Sequence, residues 1–315
     1  MKHILTPLAL TLIAAPALAQ DKMTVMLDWF INPDHGPIIL AEENGYFTDA
    51  GLEVELISPA DPNDPPRMVA AGRVDLAVSY QPELHLAQRE GLDLRRVGTL
   101  VETPLTCLVV RADGPVKEMA DLKGRKVGFA VSGVQEMLLD AMLSHHGVAP
   151  SEVEQINIGW SISPALMSGQ VDGVIGAFRN FELNQMQIEG HEGRCFYPVA
   201  EGVPAYDELI YVAHAEDMDR EMIARFLRAT ERAAADIVND PAASGETFFA
   251  SDAELRNELN TRAWEDTWPR FATRPAAVDH GRYDRFEAFM QESGVVETVI
   301  PAADLVVDVT AQAKP

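Results

Sequence analysis

Short apolar segments that end in polar, aromatic-rich turns recur along this chain, and a helical segment follows each of them. Met23–Leu27 runs into such a turn before a helix at Ile38–Asn44. Val74–Val78 and Val171–Ala177 repeat the arrangement further along. Strands that alternate with helices in this way predict parallel βα units, and hence an α/β protein. In such sheets, ligands bind beyond the carboxyl ends of the strands, which is where these turns lie.

The turn after the first strand is the most unusual of them. Trp29 and Phe30 offer flat apolar surface, and the amide of Asn32 can donate and accept hydrogen bonds at once. Pro33 and Pro37 restrict the backbone around them. The residues alone leave two interpretations open. The turn is a ligand-binding loop, or it is a plain strand–turn–helix connection whose tryptophan belongs to the core.

The first nineteen residues are typical of a secretory signal peptide. Lys2 gives a basic start, Ile4–Leu18 is mostly apolar, and Ala17-Leu18-Ala19 has the small-x-small cleavage pattern. The apolar run is shorter than the roughly 20 residues that a membrane-spanning helix needs. We therefore expect residues 1–19 to be removed and the mature protein to lie in the periplasm.

Charge and cysteine content narrow the function classes. The formal net charge of −24 makes nucleic acid or an anionic membrane surface a poor partner. Two cysteines, Cys107 and Cys195, are too few for a disulfide framework or a metal cluster. A single bridge is possible in an oxidising compartment, but the sequence does not show that the two sulfurs meet. We expect two buried free thiols.

The strand–helix pattern restarts at Asp121–Phe129, which indicates a second lobe. We expect the chain to cross near Val110 and to return near Tyr211. Residues 20–110 and 211–315 would then form the first lobe, and residues 111–210 the second, with a cleft between them. Three C-terminal helices would pack on the first lobe, at Asp219–Asn239, Asp252–Trp264 and Asp279–Ser293.

Enzyme signatures are scarce. The sequence has no Gly-x-Ser-x-Gly elbow, no Walker-type loop, no Gly-x-Gly-x-x-Gly after a strand and no His-Glu-x-x-His. We therefore predict no catalytic residues, no cofactor and no metal site. His145 and His146 end a helix, where a histidine commonly interacts with the last carbonyls. Ser132 and Gly133 precede that same helix, so free amides there could hold an anionic group, or the glycine simply serves the turn.

Four stretches resemble one family, in the same order along the chain. They are LDWFINPDH (27–35), VDLAVSYQPE (74–83), VDGVIGAFRNFE (171–182) and GVPAYDELIYV (202–212). The family is that of the periplasmic proteins that bind pyrimidine precursors of thiamine, and it is related to the eukaryotic pyrimidine synthase. The similarity spans about residues 23–290. It implies a type II periplasmic-binding-protein fold, with two α/β lobes, a ligand cleft and two hinge crossings. The Cys-rich iron motif of the synthase is absent from this sequence, which argues against that activity.

The resemblance also implies site residues. Asn32 and Glu182 would be the main hydrogen-bond partners of the ligand, with Glu182 accepting from an exocyclic amine. Trp29 and Phe178 would stack on the ring, although the family often has Tyr or Trp at the latter position. Further candidates lie at the other strand ends: His35, Tyr80, Gln81, Ser132, Gly133, Asn180, Tyr206 and Glu208. His35 would contact the ligand or only brace its loop, and Glu182 would also suit a plain helix start.

The implied ligand is an aminopyrimidine such as N-formyl-4-amino-5-aminomethyl-2-methylpyrimidine, and the implied partner is an ABC permease to which a monomer delivers it. Three alternatives stay open. A riboflavin carrier would also bind a flat nitrogen heterocycle. A sulfonate or nitrate carrier would need a basic residue in the cleft, for which Arg179 is the obvious candidate. A synthase-like enzyme is the third.

Overall fold

The computed structural model describes residues 20–310, so the expected signal peptide at 1–19 lies outside the described residues. The strands, in chain order, are β1 (Asp21–Met26), β2 (Leu52–Ile57), β3 (Leu76–Ser79), β4 (Leu94–Val101), β5 (Thr106–Arg111), β6 (Lys126–Phe129), β7 (Glu154–Asn157), β8 (Gly173–Phe178), β9 (Gly193–Phe196) and β10 (Leu209–His214).

The α-helices, in the same order, are α1 (Gly36–Glu43), α2 (Tyr46–Asp49), α3 (Pro65–Ala70), α4 (Gln81–Arg89), α5 (Val134–His145), α6 (Ile162–Met167), α7 (Glu182–Ile188), α8 (Arg220–Asn239), α9 (Pro241–Ser251), α10 (Glu258–Thr267) and α11 (His280–Glu292). Within residues 20–310, no helix has the length and apolar character needed to cross a membrane.

The strands form two five-stranded sheets of matching design. The first sheet has the order β2-β1-β3-β10-β4 and the second has the order β7-β6-β8-β5-β9. In each sheet one strand runs antiparallel to its neighbours: β10 in the first and β5 in the second. Each of these strands is the first one that the chain forms after it crosses between the sheets. Two α/β lobes joined by two crossings therefore follow from the strand pairing.

The crossings lie a few residues before the expected positions. β5 was expected to end the first lobe, but its residues pair with β8 and β9 of the second sheet. The first crossing is therefore the segment 102–105, not the neighbourhood of Val110. The return strand was expected over Gly202–Val212, but only Leu209–His214 joins the first sheet. Residues 203–208 therefore form the second crossing. This segment is irregular, and the chain changes sheets there.

The expectation of two free thiols is wrong. Cys107 and Cys195 form a disulfide, with their Cα atoms 5.6 Å apart. They lie on the neighbouring antiparallel strands β5 and β9, where Val109 pairs with Cys195. Because side chains two residues apart on a strand share a face, Cys107 and Cys195 lie on the same side of the sheet. The bridge fastens the edge strand β9 to the interior of the second sheet.

The long helix α8 packs on the first lobe, as expected, whereas α10 also contacts α7 of the second lobe. α8 begins after Asp219, whose carboxylate accepts a hydrogen bond from the backbone N–H of Met222. Its apolar face packs on the N-terminal helices, with Phe226 stacked on Phe47 at a centroid distance of 5.1 Å. Helix α9, which begins at Pro241, was not predicted. Proline is well tolerated in the first turn of a helix, which is where it lies here.

One further expectation concerns the C-terminal part. The helix expected over Asp252–Trp264 is a short 3₁₀ turn followed by α10, which starts only after Asn257. The side chain of Asn257 caps α10 by accepting from Asn260 N. The apolar run near the end of the chain docks on the first lobe, since Val306 bridges to Arg96 beside β4.

Candidate functional site

A pocket lies between the two sheets, at the carboxyl ends of β1, β3, β6 and β8. The space between its walls is about 400 Å³, which includes the open mouth. The first lobe contributes Asp28, Trp29, Asn32, Asp34 and Tyr80. The second lobe contributes Gln135, Ile162, Gly176, Phe178, Phe181 and Glu182.

Asp28 is held in place by two buried partners. Its Oδ1 lies 2.9 Å from Nε2 of His35, and its Oδ2 accepts a hydrogen bond of 2.8 Å from the hydroxyl of Tyr80. The backbone N–H of Asn32 donates to Nδ1 of His35, so the ring hydrogen lies on Nε2 and points at Asp28. His35 is fully buried and does not line the pocket. Its two hydrogen bonds brace the turn from within.

Asn32 shapes the same turn. Its Oδ1 accepts a hydrogen bond from Asp34 N, which caps the 3₁₀ turn Pro33–His35, and its Nδ2 donates to Phe30 O. These bonds use the side-chain carbonyl and one of the two amide hydrogens. One Nδ2 hydrogen is left for a ligand in the pocket.

Asp34 joins the two lobes across the cleft. Its Oδ1 accepts a hydrogen bond of 2.6 Å from Nδ2 of Asn180, which lies between β8 and α7 in the second lobe. The hydroxyl of Thr267, at the end of α10, lies 3.2 Å from the same oxygen. Burial raises the pKa of Asp34 to about 6, although the bond from Asn180 opposes this. These contacts fasten the lobes together in a closed arrangement.

Glu182 is the acidic group that the second lobe presents to the pocket. It is the first residue of α7, and its Oε2 accepts a hydrogen bond of 2.6 Å from Phe178 N. Burial raises its pKa to about 8, with a smaller contribution from the nearby Asp34 carboxylate, although the hydrogen bond from Phe178 N opposes this. At neutral pH, the ligand-free pocket therefore keeps a proton on this carboxyl. Such a group can donate a hydrogen bond, or pass its proton to a basic ring nitrogen.

Gln135 and Gly176 close the floor of the pocket. The side chain of Gln135 accepts hydrogen bonds from Ala130 N (2.7 Å) and Val131 N (3.1 Å). Gly176 has a φ of +86° at a bulge of β8, and a Cβ there would collide with the amide of Gln135. Only glycine lets the strand pass this close to the amide.

An outer groove begins where the pocket ends. Trp29, Ile162, Phe181 and Glu182 line both spaces, so the two are continuous. Trp29 contacts Trp160 of the second lobe across the mouth, with their ring centroids 4.2 Å apart. The aromatic rings at this contact therefore form the boundary between the pocket and the groove.

The expected site residues fall into three groups. Five line the pocket: Trp29, Asn32, Tyr80, Phe178 and Glu182. Two lie behind it and hold its carboxylates: His35 and Asn180. Five lie elsewhere: Gln81, Ser132, Gly133, Tyr206 and Glu208.

The residues in the third group have structural contacts of their own. Gln81 accepts a hydrogen bond from Asp207 N, and the ring of Tyr206 packs against Phe286. Glu208 accepts from the backbone N–H groups of Leu105 and Thr106, so it joins one crossing to the other.

Ser132 and Gly133 are engaged in the loop that precedes α5. The backbone N–H of Ser132 donates to Asn63 Oδ1, and that of Gly133 donates to Glu136 Oε2. The backbone N–H groups that could have held an anion therefore already donate hydrogen bonds to side chains of this protein.

Six lining residues were not on the expected list. Asp28 and Asp34 lie inside the motif LDWFINPDH (27–35). The acidic residues on each side of Asn32 could have indicated them. Phe181 precedes Glu182 in another motif. A glycine in the interior of a strand was the signal for Gly176. Gln135 and Ile162 carry no signal in the sequence, because only the packing of α5 and α6 brings them to the pocket.

The ionisable side chains that line the pocket within residues 20–310 are acidic, apart from the phenol of Tyr80. Three carboxyl groups line it, and no lysine, arginine or histidine among residues 20–310 does. Arg179, the residue that an anion carrier would have needed, instead stacks over the ring of Tyr197 at 5.1 Å. No cluster of three or more potential metal ligands occurs in the same span. An anionic ligand finds no counter-charge here, whereas a neutral or cationic one is suited to it.

The raised pKa of Glu182 predicts a stability difference that depends on pH. Because the group ionises near 4.5 when unfolded and near 8 when folded, its protonated form contributes stability that is complete below about 4.5 and lost as pH rises to about 8. Urea unfolding of wild type and Glu182→Gln should therefore show the largest wild-type advantage at pH 5 and the smallest at pH 8. The exposed Glu265→Gln should parallel wild type; a Glu182→Gln curve that did so would contradict the raised pKa.

Comparison with solved structures identifies the fold. A periplasmic aliphatic sulphonate-binding protein from Escherichia coli superposes with a TM-score of 0.72 at 16% identity, covering 93% of this chain and 94% of that one. A Candida albicans protein described as having the generic periplasmic-binding-protein fold superposes equally well, at 13% identity over 95% and 99% of the two chains. The expected periplasmic-binding-protein fold is therefore confirmed.

Several relatives have higher sequence identity to this chain than these solved structures do. A Haemophilus influenzae protein, whose name provisionally assigns it to thiamine biosynthesis, is 45% identical over 299 residues, or 95% of each chain. A formylaminopyrimidine-binding protein from Halalkalibacterium halodurans is 34% identical over 225 residues, covering 71% of this chain and 68% of that one. A pyrimidine phosphate synthase from Schizosaccharomyces pombe is 26% identical over 266 residues, 81% and 77% of the two chains.

The family model described as NMT1/THI5-like matches residues 32–244, a span that contains the last three of the quoted motifs and the end of the first. The resemblance seen in the motifs is confirmed: this chain belongs to the NMT1/THI5-like family.

Proposed function

We propose that this protein is the periplasmic solute-binding component of an ABC importer, and that it captures a thiamine-related aminopyrimidine between its lobes. The observation that carries the proposal is the pocket itself, which combines aromatic walls, three carboxyl groups and no basic side chain. A 4-aminopyrimidine offers an exocyclic amine and ring nitrogens along one edge. Carboxyl groups read that edge, and aromatic rings cover its faces.

In the proposed complex, the Glu182 carboxyl meets the amine and the adjacent ring nitrogen. The raised pKa keeps a proton on this carboxyl, which can share it with the ring nitrogen in a hydrogen bond while its other oxygen accepts from the amine. Trp29 and Phe178 supply the ring faces, and the remaining Nδ2 hydrogen of Asn32 serves an acceptor on the ligand. Asp28 and Asp34 leave no place for a phosphate or sulfonate.

Delivery follows from the two-lobed architecture. The cleft contacts at Asp34 and at Trp29 break when the lobes separate, so opening at the two crossings exposes the pocket. A permease that binds both lobes would favour the open arrangement and release the ligand. We propose that a monomer does this, and that the chain carries no chemistry of its own.

A ligand panel on the mature protein tests the proposal. Thermal shift and calorimetry would compare formylaminopyrimidine, hydroxymethylpyrimidine, riboflavin, taurine and nitrate. We expect an aminopyrimidine to stabilise the protein by about 2.7 kcal/mol at 100 times its dissociation constant. Mass spectrometry should recover the ligand unchanged after long incubation. Binding of taurine or nitrate alone would contradict the pyrimidine assignment, and a new product would contradict the carrier assignment.

A further inference from the structure

The outer groove carries features that a single pyrimidine ring in the pocket does not use. Phe30 and Trp160 are large apolar side chains, yet 45% and 40% of their surfaces are exposed. Both lie at the groove, and their rings approach each other at 6.4 Å across the mouth of the cleft. Exposed aromatic surface that continues a pocket is typical of a ligand subsite.

The groove is acidic as well as aromatic. Glu182, Asp252 and Glu254 line it, and no basic side chain in the described part of the chain does. Aromatic faces attract cations, and carboxylates strengthen that attraction. The chemistry of the groove therefore favours a positively charged, flat group and opposes a phosphate.

One polar group in the wall of the groove lacks a partner. Ser163, near the start of α6, is 1% exposed, and its hydroxyl makes no hydrogen bond to any atom of residues 20–310. Buried hydroxyls are nearly always paired, because an unpaired one costs free energy. Ser163 therefore places an unpaired hydroxyl in the wall of the groove, within the described residues.

We infer that the groove is an outer subsite for a cationic aromatic ring joined to the pyrimidine, so that the protein also captures a two-ring pyrimidine–cation conjugate. This inference rests on the proposed function, since it places the pyrimidine in the inner pocket. The second ring passes the Trp29–Trp160 contact and packs on the exposed faces of Phe30 and Trp160. Glu254 supplies the counter-charge.

Calorimetry with two probes separates the outer subsite from the inner one. Hydroxymethylpyrimidine fills only the pocket, whereas thiamine carries the same pyrimidine on a cationic thiazolium ring. We expect thiamine to bind wild type several-fold more tightly than hydroxymethylpyrimidine. Trp160→Ala should weaken thiamine by about tenfold and the single ring by less than about twofold. Glu254→Gln should weaken thiamine selectively, and thiamine monophosphate should bind less well than thiamine.

Val199→Ala and Glu43→Gln are matched controls, because both residues are exposed and line neither space. The ratio of the two affinities is the decisive quantity, since damage to the fold would weaken both ligands alike. A thiamine affinity no higher than that of the single ring, or an equal loss of both in Trp160→Ala, overturns the outer subsite while the proposed function stands. Absence of binding by either probe overturns both.

Discussion

Replacing Glu182 by alanine should abolish high-affinity pyrimidine binding. The side chain lies at the start of α7 with both lobes around it, and it is buried where the ligand edge would lie. A buried hydrogen bond to a charged group contributes roughly 1.5–3 kcal/mol. We therefore expect calorimetry to show a loss of about 100-fold in affinity, at 1.4 kcal/mol for each factor of ten.

A glutamine at position 182 separates the contribution of the carboxyl group from that of the side-chain shape. Glu182→Gln keeps an oxygen that can accept from Phe178 N, but its amide N–H is a weaker donor to the ring nitrogen than the acidic proton of a carboxyl. It should fold as well as wild type and lose about tenfold or more in affinity. The exposed Glu265→Gln on α10 should leave affinity unchanged. Wild-type affinity in Glu182→Ala would remove this residue from the site.

Loss of the disulfide should give the largest change in stability. The bond joins residues 88 apart in sequence, and closing a loop of that size stabilises a fold by about 2–4 kcal/mol. The double variant Cys107→Ala/Cys195→Ala should lose about that much free energy of unfolding in urea titrations. Its affinity for the pyrimidine should stay close to wild type, because neither cysteine lines the pocket.

Reductant provides the matched control for that experiment. Dithiothreitol should shift the unfolding curve of wild type towards that of the double variant and leave the double variant unmoved. Thiol titration of unfolded wild type without reductant should find no free thiol. Two free thiols, or equal stability of wild type and the double variant, would contradict the bridge.

Much of the fold was readable from the sequence, because its signals are local. A helix was predicted over Asp219–Asn239, and α8 begins directly after Asp219. The positions of the two crossings were less accurate. A strand such as Thr106–Arg111 has the same apolar pattern in either sheet, and only its partners decide which lobe it joins.

The residues of the candidate site also include some that the sequence indicated and some that it did not. Trp29 and Glu182 could be predicted as site residues because they lie in motifs at strand ends. The disulfide was missed because pairing of Cys107 with Cys195 depends on β9 lying next to β5, a contact between distant segments. Gln135 and Ser163 were missed for the same reason. Tyr206 and Glu208 lie in a motif as well, but their side chains serve the core and the crossing rather than the pocket.

The carboxylate of Glu208 has a mechanical consequence. It lies on the second crossing. It accepts hydrogen bonds from the backbone of Leu105, at the end of the first crossing, and from the backbone and the hydroxyl of Thr106, at the start of β5. Two separate connections between lobes would bend independently and allow the lobes to shear and twist. Because this one side chain couples them, the lobes should rotate about a single axis. An opened cleft then returns to the same register each time, which brings Asp34 back to Asn180 and Trp29 back to Trp160.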